Sequence, residues 1–423
     1  MNPEQSVHGP TIHRQPFTRE RMLLLMATLV ISAAPAGSGG VAKAKESAGH
    51  ITKGPCLLRV DRDRVALMWE TDTPGPSGVS YGANGKLDAY RDSSAETVVY
   101  GGSLFGGGRN TVYVHKVWID NLLPGRTYGY RITGPDVRSE AYTFRTVPAA
   151  SDEVRFIVYG DNRTQSRVHR RLVEQMLKHE VDFVVNVGDL VTQGDSYRFW
   201  GPEFFEPLQG LMERVPIYTA KGNHDGSRGI YEKLLIPPGA GNDTSFDYGP
   251  LHYFLADNVS KGVDDSWLLR QMLEDAAASK APWKFVSYHV PSLNLGGHRS
   301  NWQQKEAVPG FAEVGVDFVI TGHSHLYERF RPVTPPVQGS YVTYITSGGG
   351  GAPLAAITPA ACHACAKSAY EFCLFHIKGD VLTMDTIDVD GRVIDHLAIT
   401  KNGGRLNAEF LSTAMRMTDI GRR

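Results

Sequence analysis

Between residues 54 and 147 apolar and polar positions alternate in short runs broken by turn residues, at 65–70, 79–81, 111–119, 127–132 and 140–145. Period-two alternation over runs of this length predicts strands with one buried face. The spacing therefore predicts an all-β sandwich over residues 52–148, with 148–151 as a linker. From Val154 onward the texture changes to continuous apolar runs separated by amphipathic segments, which predicts a layered α/β domain over 152–395. Helical spacing is plain at 169–179, where Leu172, Val173, Met176 and Leu177 share one face and Arg170, Arg171 and Glu174 the other. A second helix is expected from Trp267 to about Ala278. The tail at 396–423 carries little signal.

The first 45 residues follow a different grammar. Arg14, Arg19 and Arg21 precede an apolar run at 22–34, and Ala34-Pro35-Ala36 supplies small residues after it. This is the order of an export signal followed by a cleavage site. The run is shorter than the roughly 20 residues needed to cross a bilayer, so the expectation is an exported protein, periplasmic or secreted, with no membrane span after cleavage.

Composition narrows the function classes. A chain of 423 residues suits two domains, and 41% hydrophobic with 21% charged residues is that of a globular protein. Basic and acidic side chains number 44 and 45, and no basic stretch gives a nucleic-acid signature. Cys56, Cys362, Cys365 and Cys373 are the only cysteines. Without a second C-x-x-C pair, a disulfide or free thiols are favoured over a zinc site at Cys362-His363-Ala364-Cys365.

Chemistry concentrates where five apolar runs end. The run 154–159 leads into Gly160-Asp161-Asn162-Arg163, and 183–187 into Gly188-Asp189. The run 216–220 precedes Gly222-Asn223-His224-Asp225, 285–288 stops at His289, and 316–321 opens into Gly322-His323-Ser324-His325. Taken singly, a Gly-Asp pair is a turn and a histidine ending a strand is a packing residue. Together, two carboxylates, an amide oxygen and several imidazoles follow five buried runs, and ligands of open α/β sheets gather beyond the carboxyl ends of strands. Such ligands suit iron, zinc or manganese.

This ordered set resembles the calcineurin-like metallophosphoesterase family, whose pattern is D-x-[HG], G-D-x-x, G-N-H-[DE], a lone His and G-H-x-H. Within it, Val286-Ser287-Tyr288-His289 and the G-H-S-H-L-Y-E-R of residues 322–329 look most like purple acid phosphatases. The stretch 122–131 resembles a corner of fibronectin type III domains, and plant-type purple enzymes carry such a domain in front. The resemblance implies an α/β domain with two central β-sheets flanked by helices, and a phosphoric ester hydrolase with two metal ions. Asp161, Asp189 and His325 would hold the first ion, and Asp189, Asn223, His289 and His323 the second. His224 would be the general acid with Asp225 orienting its ring, Arg163 and His298 would bind a small phosphorylated substrate, and Tyr327 and Glu328 would steer His323 or His325.

Two positions depart from the family. Thr192 stands where purple enzymes have a tyrosine ligand, and Arg163 where relatives have His or Gly, which leaves the first ion poor in ligands unless Tyr159 or Asn162 compensates. Arg163 either grips a phosphate oxygen or pairs with a neighbouring carboxylate. Phosphomonoester hydrolysis is the leading expectation. The alternatives are a phosphodiesterase on nucleotides or lipid head groups, and a surface binding protein with a degenerate metal site.

Overall fold

The computed structural model describes residues 49–101, 109–260, 262, 264–334, 341–402, 405–406 and 413–416. The expected leader at 1–45 and much of the tail lie outside the described residues. Among those described, no helix is long and apolar enough to cross a membrane.

The N-terminal part is a sandwich of two four-stranded sheets. One orders Ile51–Val60, Val65–Thr71, Arg109–Ile119 and Ser94–Gly101, and the other Ala89–Asp92, Gly78–Ala83, Thr127–Thr133 and Tyr142–Arg145. Leu57, Val65, Leu67, Trp69, Val117, Ile119, Tyr130 and Ile132 fill the space between them. The turn at Pro124-Gly125 is closed by the Leu123 amide, which donates to the Tyr128 hydroxyl at 2.9 Å. Strand Val65–Thr71 is buried at every position, so Ala66 and Met68 must face something other than the sandwich core.

They face the α/β domain that follows. Cys56, Leu58, Ala66, Met68, Val112 and Val114 form one continuous core with Ile157, Leu208, Leu211 and Met212. Hydrogen bonds follow the same seam: the Leu57 amide donates to Met212 O at 3.0 Å, Tyr130 Oη to Glu213 O at 2.7 Å and Trp118 Nε1 to Pro238 O at 3.0 Å. The sandwich is thus fixed by packing, and the linker is not what relates it to the rest.

The second part has two seven-stranded sheets packed face to face. In one, parallel strands Ile217–Thr219, Phe183–Asn186 and Glu153–Tyr159 adjoin antiparallel Glu371–Lys378, Val381–Asp388, Val393–Asn402 and Arg405–Leu406. In the other, Thr244–Tyr248, Leu251–Leu255, Trp283–Ser287, Phe318–Thr321, Thr343–Ser347, Tyr327–Phe330 and His363–Lys367 lie in that order. An aromatic cluster joins them, with Phe156 stacked on Phe183 and Phe375 and edge-on to Phe285 at 5.4 Å. Ser166–Met176 covers the outer face of the first sheet, while Asp265–Ala278 and Gln304–Glu313 cover the second. The helix at Asp265 begins where Asp264 accepts the Ser266 and Trp267 amides at 2.9 and 3.1 Å, the ordinary N-cap arrangement.

Strand Val393–Asn402 runs across the expected boundary at 395, because residues 393–400 pair with Val381–Asp388. The α/β layer therefore extends into what the sequence suggests is tail. Cys56, Cys362, Cys365 and Cys373 are free thiols.

One buried ion pair sits on the seam. Glu70, fully buried, accepts from Lys53 Nζ at 2.7 Å and from Thr52 Oγ1 at 2.6 Å, and it also meets the Tyr197 hydroxyl of the α/β domain. Removing one partner of such a pair leaves a buried charge and costs about 3–5 kcal/mol, whereas replacing both by apolar groups is close to neutral. Urea unfolding should show Lys53→Met destabilised by about that amount, and the Lys53→Met/Glu70→Leu double variant largely restored. Equal losses in the two would show that the seam does not depend on the pair.

Candidate metal centre

The residues singled out at strand ends converge at one edge of the two sheets. Donor atoms of Asp161, Asp189 and His289 all lie within 4.8 Å of one another, and the three residues are buried. Their loops are bent hard: Asp161 has φ of 58°, Asp189 of 57° and His323 of 69°. Side chains with a Cβ rarely adopt this region, and such strain clusters at functional sites.

Close backbone packing enforces the bends. A Cβ on Gly222 would stand 2.1 Å from the Asp189 nitrogen, and one on Gly348 would stand 2.1 Å from the Ser324 carbonyl oxygen. The glycine run at 348–351 is therefore a backbone wedge under Asp161: the Gly350 amide donates to Gly160 O and the Ala352 amide to Asp161 O, both at 2.8 Å.

Four residues form one well-defined donor set. Asn223 Oδ1 is 3.1 Å from His289 Nε2 and 3.0 Å from His323 Nδ1, and Asp189 Oδ1 is 3.4 Å from His289 Nε2. His289 donates from Nδ1 to Val187 O at 2.9 Å, so its Nε2 presents a lone pair to two oxygens. Facing acceptors repel unless a cation lies between them. Separations of 3.0–3.4 Å are those between neighbouring ligands around an ion bound at ~2.1 Å. The donor set fits a metal ion.

Electrostatics favour the ligating forms. Burial lowers the pKa of His289, and burial with the nearby His289 takes His323 down to about 4. Burial would raise Asp189, but His289, His224 and Arg163 outweigh it and hold its carboxyl below the usual range.

The neighbouring set differs. Asp161 Oδ2 accepts the His323 amide at 2.8 Å, while its Oδ1 is buried without a hydrogen-bond partner, 3.7 Å from His325 Nε2. His325 donates from Nδ1 to Pro353 O at 3.0 Å, leaving Nε2 as an acceptor. That acceptor receives Nη2 of Arg163 at 3.2 Å, and Arg163 Nε reaches Asp189 Oδ2 at 3.3 Å. Arg163 thus pairs with a carboxylate, the second of the two alternatives its sequence position left open. A dication about 4 Å from a guanidinium is repelled by roughly 8 kcal/mol at an effective dielectric near 20. Neither suggested substitute ligand helps: Tyr159 Oη donates to His169, and Asn162 Oδ1 accepts from Asn186 Nδ2 at 2.7 Å. The Thr192 hydroxyl donates to Glu203 at 2.8 Å.

His224 stands beside the centre, about one third exposed, with Nε2 4.0 Å from Asp189 Oδ2. Its Nδ1 donates to Thr192 O at 2.9 Å. Asp225 does not hold this ring, contrary to expectation, since its carboxylate is taken up by the amides of Gly222, Asp189, Leu190 and Val191 at 2.7–3.3 Å. Tyr327 and Glu328 likewise do not touch His323 or His325. Tyr327 donates to Asp395 at 2.7 Å, and Glu328 accepts the Leu295 and Gly296 amides and pairs with His363 at 3.1 Å. Glu328 thereby anchors the loop that carries His298, whose exposed ring lies 5.4 Å from that of His323 and 5.3 Å from that of His325. The carbonyl partners of Val187, Thr192 and Pro353 leave no trace in sequence, because any residue supplies a carbonyl.

Comparison with known proteins places this geometry. The family described as calcineurin-like phosphoesterase matches residues 154–327, and the purple acid phosphatase N-terminal domain matches 57–146. Residues 154–327 thus carry a calcineurin-like phosphoesterase domain. The chain's two-part arrangement is that of purple acid phosphatases, and its catalytic part is a metal-dependent phosphoesterase domain. Purple acid phosphatase 21 of Arabidopsis thaliana is 25% identical over 314 residues, 69% of each chain. Acid phosphatase type 7 of Homo sapiens is 26% identical over 303 residues, 64% of this chain and 68% of that one. Among solved structures, a purple acid phosphatase from yellow lupin (Lupinus luteus) seeds superposes with a TM-score of 0.68 at 18% identity, covering 84% of this chain and 74% of that one. Purple acid phosphatases use a dinuclear metal centre.

The titratable members of the well-formed set, Asp189, His289 and His323, all have lowered pKa values. A base with a lowered pKa stays unprotonated until the pH falls to that value, so protons should not compete with metal near neutrality. Competition titration of the metal-stripped protein should give a zinc affinity that persists to lower pH than imidazoles of ordinary pKa would allow, and that is lost as the pH falls toward the value of about 4 at which His323 is held. A tenfold loss per unit beginning near pH 6.5 would mean ordinary exposed imidazoles.

Proposed function

We propose that this phosphoesterase hydrolyses phosphate monoesters outside the cytoplasm, with His224 as the general acid. The observation that carries the reading is the placement of His224 beside the convergent donors of Asp189, Asn223, His289 and His323. Its Nδ1 is committed to Thr192 O, so Nε2 is the nitrogen turned to the solvent-facing side of Asp189.

Asp189, Asn223, His289 and His323 would hold iron, zinc or manganese, which would supply a water of lowered pKa and neutralise phosphoryl charge. The protein's own groups do the rest. Arg163 adds a fixed positive charge beside Asp189. His298 extends the rim over His323 and His325, where an exposed imidazole meets the ester before the buried donors do. His224 Nε2 gives its proton to the departing alkoxide, and Thr192 O keeps the ring aimed during that transfer. Asp225 holds the two loops in register and touches no reacting atom. A monoester dianion is a better match than a diester monoanion for a site that combines a metal ion, a guanidinium and an imidazolium. Export rests on the arginines and apolar run before residue 35, and N-terminal sequencing of the mature protein would place the cleavage.

Phosphate release from p-nitrophenyl phosphate, compared with its bis ester, tests the reaction. Wild type should prefer the monoester. His224→Ala should lose about 100- to 10,000-fold in kcat while its metal content is unchanged. Preference for the bis ester would move the reading to a phosphodiesterase, and hydrolysis of neither by the metal-loaded protein would favour a binding protein.

A further inference from the structure

We propose that the guanidinium of Arg163 takes the part of the first metal ion, so that this phosphoesterase works with one ion and a built-in cation in place of two ions. The inference rests on the reading of the site as a phosphoesterase centre and concerns what supplies its second positive charge.

The two halves of the site differ in what their lone pairs face. On one side, His289 Nε2 and the oxygens of Asn223 and Asp189 face one another with no N–H between His289 and those oxygens. On the other side, the corresponding lone pairs are already met. Nη2 of Arg163 donates to His325 Nε2 at 3.2 Å and Nε to Asp189 Oδ2 at 3.3 Å. Asp189, the residue expected to bridge two ions, turns one oxygen to the His289 side and the other to Arg163. The guanidinium is largely buried, with 13% of its side chain exposed.

The supply of ligands agrees. Asp161, Asp189 and His325 are three protein donors, and the positions that could have added a fourth are engaged elsewhere: Thr192 with Glu203, Tyr159 with His169 and the Asn162 Oδ1 with Asn186. Only Asp161 Oδ1 stays open, and it is the one donor on this side that a second ion would gain without displacing Arg163. Arg163 Nη1 also donates to Thr164 Oγ1 at 3.3 Å, and a planar guanidinium fork suits phosphoryl oxygens, so Arg163 can neutralise the same charge that an ion would.

Metal counting decides between the two. Chelator-stripped wild type, reconstituted with excess Zn2+ or Mn2+ and freed of unbound ion by gel filtration, should hold one ion per chain. Arg163→His, which puts an imidazole where relatives carry one, should hold two. The Mn2+ forms give an independent reading by electron paramagnetic resonance: an isolated-ion spectrum for wild type and an exchange-coupled pair for Arg163→His. Two ions per wild-type chain with a coupled spectrum would overturn the proposal, and so would an Arg163→His protein that still holds one. Monoester hydrolysis measured on the same samples separates the two readings. Two ions with full hydrolysis would overturn only the single-ion centre. One ion with no hydrolysis of either p-nitrophenyl ester would overturn the assigned reaction and Arg163's part in it.

Discussion

Asp225 touches no proposed substrate or ion, yet its buried carboxylate accepts four backbone amides, from Gly222, Asp189, Leu190 and Val191. Those amides belong to two loops that leave neighbouring parallel strands, Phe183–Asn186 and Ile217–Thr219. At the end of a strand the ladder stops and each loop begins with unsatisfied N–H groups. One carboxylate collects them and fixes the separation of the loops. The separation in turn sets where Asp189, Asn223 and His224 stand. Gly222 must pass so close to Asp189 that any Cβ would collide with its backbone, and Gly194 lies equally tight against Asp225 itself. The positive φ of Asp189 persists because the loop has nowhere else to go.

The same logic explains why the centre sits between sheets. Asp161 and Asp189 come from the sheet that packs against the sandwich, whereas His289, His323 and His325 come from the other. Their approach depends on the aromatic cluster that joins the sheets, in which Phe156 meets Phe183, Phe375 and Phe285. Sandwich packing on the outer face of the first sheet adds a third layer to this support. Strain at three bent ligand positions is borne by burial elsewhere, as expected for a site built on rigid elements.

What could be read from sequence was local, and what could not was long-range. Gly188-Asp189 or Gly322-His323-Ser324-His325 is a strand-end signal whose meaning lies within a few residues, and its repetition after five apolar runs pointed to convergence. Three sandwich strands, Ile51–Val60, Ala89–Asp92 and Ser94–Gly101, do not show in the pattern, the first because both of its faces are largely buried and the other two because most of their side chains are exposed; none gives a clean alternation. The strand Val393–Asn402 reads partly as tail for a related reason, since it lies toward the sheet edge and mixes apolar with polar residues along its length. Asp225 directly follows His224, and Glu328 stands three residues after His325, so the sequence suggests each as a support for a nearby ring. In the fold both carboxylates serve backbone amides instead.

Arg163 and Thr192 are best understood together. They lie on facing loops, and Thr164, next to Arg163, meets the Thr192 hydroxyl at 3.2 Å. In the purple enzymes that the chain resembles, the position of Thr192 supplies a phenolate, a negative ligand that stabilises a highly charged ion. Here that position is neutral and its hydroxyl is bound to Glu203, while the facing loop brings in a guanidinium. One change removes negative charge and the other adds positive charge on the same side of Asp189. Both lower the attraction of that side for a cation, and Asp189 remains within 3.3 Å of a permanent positive group. The paired departure therefore keeps the carboxylate neutralised while changing what neutralises it. Loss of the phenolate alone would leave Asp161, Asp189 and His325 short of charge compensation, and arrival of the arginine alone would set a guanidinium against an ion that the phenolate still attracts. The two substitutions make physical sense as a pair.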